Sequence, residues 1–312
     1  MEALEAATHG HLLLNHVPTV GFVVGIGLLV VALVSDSDDL KSMSLVVLVG
    51  IALMALPTYA TGNAAERFLR ETTPGFPQSL AYTHEGMAFV SLILIELAGA
   101  LAWLALWNHR RTGRLSNACA ALVLVTTLVA LVAVATTGYL GGKIGHPEIR
   151  GAEEITTVVG HLGRTVGAFV GGSPYGWPAL ETLHFIGLSL LVGVLLLIYL
   201  RMAGVMQTVS FDAVDRLLPW GMLGFALNTA SGMLFFAAAA DQYTRNYVLY
   251  VKFAFVVLAG ANTLYFTFDR TWMQAAGTSA PGRSKALAAS ALVLWLGVLY
   301  WGNMLPFLGT AF

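Results

Sequence analysis

Residues 9–34 read HGHLLLNHVPTVGFVVGIGLLVVALV. From Leu12 to Val34 the run holds no Asp, Glu, Lys or Arg. It is long enough to cross a bilayer, whose hydrocarbon core takes about 20 apolar residues in a helix. Three histidines, His9, His11 and His16, stand at its mouth. Imidazoles are scarce where a helix enters lipid, and they are the commonest biological metal ligands. The stretch therefore predicts a transmembrane helix with metal-ligand chemistry at its outer end.

The rest of the chain repeats the apolar pattern. Further runs of spanning length lie near 42–62, 84–107, 116–140, 178–200, 213–239, 246–268 and 286–308, which makes eight with the first at 12–34. The 312 residues are 57% hydrophobic and 11% charged, with a mean hydropathy of +0.75. That composition predicts an all-α polytopic membrane protein whose first partner is the lipid bilayer. A net charge of -1 excludes the broad basic face of a nucleic-acid binder. The single cysteine, Cys119, can form no internal disulfide, and no Cys-x-x-Cys-His is present for covalent haem attachment. Met1 to Ala7 carries Glu2 and Glu5 and no basic residue, so the first run reads as a retained helix.

The connections are short and polar except at 141–177, which is rich in glycine and carries Pro147 and Pro174. It divides the chain into two four-helix groups: residues 1–146, an outer-face connection at 147–177, and residues 178–312. Within the connection, Ile155 to Val170 is expected as a surface helix. Arg110, Arg111 and Arg114 crowd the loop between the third and fourth helices and place it inside. Alternation then puts Lys41, Arg201, Arg216, Arg270, Arg283 and Lys285 inside and both termini on the outer face. Trp103, Trp107, Trp177, Trp220 and Trp301 suit interfacial anchoring.

This topology sorts the histidines. His9, His11, His16, His84, His146, His161 and His184 all fall toward the outer face, and only His109 falls inside. His16 and His84 are expected at similar depth on helices that both run inward, so an imidazole from each can approach one metal from opposite sides. His11 precedes His16 by five residues, a rotation of about 140° on a helix, and is paired with His146 as a second site. Bis-histidine ligation without covalent attachment implies one or two b-type haems. The same four histidines also suit copper or zinc. Alternatively, they contact lipid headgroups as ordinary interfacial residues.

Three carboxylates accompany them. Glu181 lies three residues before His184 and is expected beside its imidazole, which is itself a candidate haem ligand or hydrogen-bond donor to a quinone. Glu96 lies mid-helix in an apolar run, where a carboxylate is expensive. With Glu85 it suggests a proton path. Thr126, Thr127, Thr136 or Thr137 offer Glu96 a structural partner instead.

Residues 11–146 resemble an uncharacterised four-helix bacterial membrane domain often joined to c-type cytochrome modules. The matching pieces are His11 to Pro18, Thr61-Gly62 with Glu66, His84, and Gly138 to His146. The resemblance implies that His11, His16, His84 and His146 are the domain's histidines. It further implies redox work beside a periplasmic c-type cytochrome or other redox subunits, in a bacterial inner membrane. Residues 174–270 resemble a second such domain through Glu181-Thr-Leu-His184, Arg201, Leu218-Pro-Trp220, Gly224, Thr229 to Gly232, Lys252 and Gly260-Ala-Asn262.

Three functions follow as expectations. The first is an electron-transfer subunit of an oxidoreductase complex, passing electrons between a periplasmic partner and quinone or a larger complex. The second is a transporter or other membrane protein handling copper or zinc. The third is a non-redox anchor of a periplasmic enzyme.

Overall fold

The computed structural model describes residues 2–145, 162–268 and 280–308. Over these residues the chain is helical without strands, and eight helical stretches are long and apolar enough to cross a membrane. The protein is thus an all-α polytopic membrane protein.

Helices α1 (Glu2–Leu14) and α2 (His16–Val34) form one span broken only at Asn15. Asn15 keeps helical dihedrals, φ -61 and ψ -22, and its N–H still bonds the His11 carbonyl at 2.9 Å. Pro18 has no N–H for the Leu14 carbonyl one turn back. Thr58 Oγ1 on the next helix comes within 3.4 Å of that carbonyl while donating chiefly to the Met54 carbonyl of its own helix at 2.7 Å. The sequence reading starts this span at Leu12, but the helix begins at Glu2 because Leu4 and Ala7 pack against Ala64 beside Phe68 and Tyr250. His9 and His11 therefore lie within a helix and not at its mouth.

Helices α3 (Asp38–Thr72) and α4 (Gln78–Thr112) have 35 residues each. At 1.5 Å per residue that is roughly 50 Å, well beyond the ~30 Å hydrocarbon core. Ser37 caps α3 by accepting from the Leu40 N–H, and Asp38 and Asp39 favour its positive end. Gly113, at φ 73, closes α4 in the left-handed conformation that glycine adopts without strain. The remaining helices are α5 (Asn117–Gly145), α6 (Leu162–Gly172), α7 (Gly176–Ala203), α8 (Phe211–Asp215), α9 (Leu218–Arg245), α10 (Tyr247–Phe268) and α11 (Gly282–Met304). The expected surface helix in the connection is α6 in its described part. Residues 155–161 lie outside the described residues.

The helices make two rings. In the first, α2 and α4 each pack on both α3 and α5, so α2 and α4 stand on one diagonal. In the second, α7 packs on α9 and α11, while α10 packs on α11 and lightly on α9, so α7 and α10 stand on a diagonal. α3 and α4 join the rings by packing on α9 and α10. The first ring is the tighter: 56% of the apolar window is buried in α3 and in α4, against 17% in the Phe211–Arg245 stretch.

At the end opposite the histidines the basic residues are tied down. Arg110 pairs with buried Asp215 of α8 and donates to the Phe266 carbonyl at 3.0 Å. Buried Arg201 donates to the Val209 carbonyl and lies 3.9 Å over the Phe211 ring. Trp103 is not an interfacial anchor. It is buried where the rings meet, and its Nε1–H donates to Thr267 Oγ1 at 3.0 Å.

Candidate functional site: two imidazoles held alike

His11 is half-buried on α1, and its Nδ1 lies 3.0 Å from the Thr58 carbonyl of α3. A carbonyl only accepts, so Nδ1 carries the ring proton and Nε2 is left with a lone pair. Among the described residues nothing hydrogen-bonds that Nε2. The ring lies against Gly62, where a Cβ would come within 2.9 Å of Cε1. Any larger residue at Gly62 would push the imidazole away from Thr58.

His84 repeats the device on the other side of the ring. Its Nδ1 donates to the Thr137 carbonyl of α5 at 2.9 Å, and a Cβ on Gly141 would approach its Cε1 to 3.0 Å. In each case the accepting threonine precedes the glycine by one helical turn, Thr58 with Gly62 and Thr137 with Gly141. The accepting carbonyl and the space for the imidazole therefore lie on one helix face. Ser91 steadies the second copy by sharing a 2.9 Å hydrogen bond with Thr137 Oγ1. His11 is thus held against α3 and His84 against α5, each by its Nδ1.

The expected partner of His84 was His16, and here the structure differs. His16 is exposed, and its Nδ1 turns back to the Leu12 carbonyl of its own helix at 3.0 Å. The rotation that separates it from His11 sends His11 into the bundle and His16 outward. His11 is instead near enough to His84 to act on it electrostatically. Its expected partner, His146, lies outside the described residues.

The carboxylates do not form the expected arrangements. Glu181 is exposed and makes no described contact with His184. The partner of His184 is Ser231 of α9, at 2.8 Å from Nδ1. The Ser231 hydroxyl spends its proton on the Leu227 carbonyl at 2.6 Å, so it accepts from Nδ1–H and again leaves Nε2 with the lone pair, an acceptor where a donor to a quinone was expected. Glu96 Oε1 is buried without a hydrogen bond. The hydroxyls of Thr126, Thr127, Thr136 and Thr137 cap carbonyls of their own helix and do not reach it. Glu85 lies within electrostatic reach of the Tyr59 phenol.

Among the described residues no three His, Cys, Asp or Glu side chains gather into a group that can hold a metal ion. What the fold and site define is a polytopic α-helical membrane protein with two imidazoles held by their Nδ1 atoms, each with Nε2 unbonded among the described residues. No protein-family model, curated protein or solved structure matches the chain.

Proposed function

We propose that the protein is a membrane-embedded electron-transfer subunit that holds one b-type haem between His11 and His84. The observation that carries this reading is the matched pair of imidazoles, His11 on α1 and His84 on α4, each with Nδ1–H on a backbone carbonyl and with Nε2 unbonded among the described residues. Zinc takes four ligands, with at least three from the protein in catalytic sites. Haem brings its own four equatorial nitrogens and asks the protein for only two axial ligands. A two-imidazole donor set fits that requirement. The paired glycines fit it too, since Gly62 and Gly141 leave the space that each ring occupies.

When bound, the haem supplies a one-electron couple. The chain's own residues would set its ligation. The Thr58 and Thr137 carbonyls fix the tautomer and orientation of each imidazole and raise its basicity, as outer hydrogen bonds do for metal-ligating histidines. The site lies at the end opposite Arg110, Arg111 and Arg114. The bias of basic residues toward the cytoplasm makes this the outer face. A periplasmic c-type cytochrome or another redox subunit in a bacterial inner membrane is the partner that such a placement suits, in line with the resemblance of residues 11–146.

The test is a reduced-minus-oxidised spectrum of the purified protein with a pyridine haemochrome assay. About one b-type haem per chain is expected, lost in His11→Leu and His84→Leu and retained in His16→Leu. Protein with no Soret band and with stoichiometric copper or zinc would overturn the reading in favour of metal handling.

A further inference from the structure

We propose that the second bundle binds the headgroup of a membrane-soluble hydroquinone between His184 on α7 and Lys252 on α10. Both helices enter from the end that carries His11 and His84, and they stand on the diagonal of their ring. His184 lies eight residues into α7 and Lys252 five residues into α10, depths of about 12 and 8 Å at the helical rise. The ammonium is near enough to bias the imidazole electrostatically.

Lys252 is the second bundle's unexplained charge. Among the described residues it has no ion pair and no hydrogen bond, and its chain passes 3.5 Å from where a Cβ on Gly302 would lie. An intramembrane lysine without a counter-group is costly and marks a ligand or ion site. His184 supplies the complementary function. Its Nδ1 proton is committed to Ser231, so Nε2 only accepts, whereas Lys252 only donates. A hydroquinone matches that pair, with one hydroxyl donating to Nε2 and an oxygen at the far side of the ring accepting from the ammonium. A carboxylate or phosphate sets its own lone pairs against Nε2. The oxidised quinone has only acceptors and loses the bond to His184.

The surroundings suit a flat ring of that kind. Phe235 meets the His184 ring edge-on at 5.8 Å and Trp177 at 4.6 Å. Gly232 leaves the His184 edge open, since a Cβ there would lie 3.9 Å from Cε1. Phe185 and Ile186, next to His184 on α7, are 57% and 50% exposed and face lipid, which gives a lipid-soluble molecule a route of entry. Binding stands on the second bundle alone. Only its use as an electron source for the first bundle rests on the haem reading.

The experiment is anaerobic calorimetric titration of full-length purified protein with decylubiquinol, with haem content measured on the same samples. Saturable binding at one site is expected, weakened about tenfold or more in Lys252→Met and in His184→Leu, the loss that one hydrogen bond to a charged or buried partner represents. Lys252→Arg keeps the charge and should keep most of the affinity, which separates lost recognition from lost folding. Decylubiquinone should bind about tenfold more weakly, and decanoate should not compete. No saturable binding, affinity unchanged in both His184→Leu and Lys252→Met, or displacement by decanoate at equal affinity would overturn the proposal. Binding to haem-free protein would leave this site standing while removing the haem reading. Haem-replete protein without binding would do the reverse.

Discussion

At the scale of single residues, the site depends on where an imidazole is allowed to lie. Gly62 and Gly141 each touch a histidine ring, while Gly138 and Gly142, on the same helix as Gly141, have nothing within 4 Å of an added Cβ. Gly62→Ala and Gly141→Ala should therefore displace His11 and His84 and lower haem content several-fold. Gly138→Ala should leave it unchanged, all three being read by pyridine haemochrome on folded protein. The spacing of His11 and His16 already said that the two point in different directions. Which one points inward was not legible in that spacing, because the answer depends on α1 starting at Glu2. The start is fixed by Leu4 and Ala7 against Ala64, residues more than fifty positions apart in the chain. Glu2 and Glu5 in the first turn were the available signal, since acidic residues favour a helix start. Lys252 was visible as a lone charge in an apolar run, but its relation to His184 needs the ring order of the second bundle.

At the scale of elements, the apolar runs locate every span because backbone in lipid must satisfy its own hydrogen bonds, and only a helix does so along a single segment. Their ends were less legible. The last turns of α3 leave the apolar window and continue as a helix through polar sequence, where Glu66 and Arg70 pair at 3.5 Å one turn apart. Helix crossings are also set by contacts that hydropathy does not record. A Cβ on Gly224 of α9 would come within 2.5 Å of the Leu191 nitrogen and 2.6 Å of the Gly187 carbonyl on α7. Backbone atoms cannot turn aside as a side chain can, so Gly224→Ala should separate α7 from α9 and cost about 2–3 kcal/mol. Gly193→Ala, on α7 with nothing within 4 Å, is the matched control. Thermal denaturation in detergent should show a fall of several degrees for the first and no change for the second. Because Asn228 of α9 donates to the His184 carbonyl at 2.8 Å, the same separation should also weaken hydroquinone binding.

At the scale of the whole molecule, the two rings are fastened by charge at both ends. Toward the histidines, Arg67 pairs with Asp241 and Arg245 with Glu71, joining α3 to α9. At the other end the Arg110–Asp215 pair is buried, with side-chain exposures of 3% and 1%, and it ties α4 to α8. Removing one member of a buried pair strands the other, so Asp215→Ala should cost about 3 kcal/mol or more in detergent melting. Glu71→Ala, whose pair is partly exposed, should cost under about 1 kcal/mol. The polarity of these ends decides what the molecule can serve. Arg110, Arg111, Arg114, Arg201 and Lys41 gather at the end away from His11 and His84, so both the haem site and the hydroquinone site should open toward the outer face. Cys119 is the single cysteine, which makes the orientation directly measurable. In a Cys119→Ser background, Glu2→Cys should react with a membrane-impermeant maleimide in intact cells, and Arg114→Cys should react only after lysis. The opposite pattern would place both sites on the cytoplasmic face. A periplasmic cytochrome would then be out of reach, and the electron-transfer partner would have to be sought inside the cell.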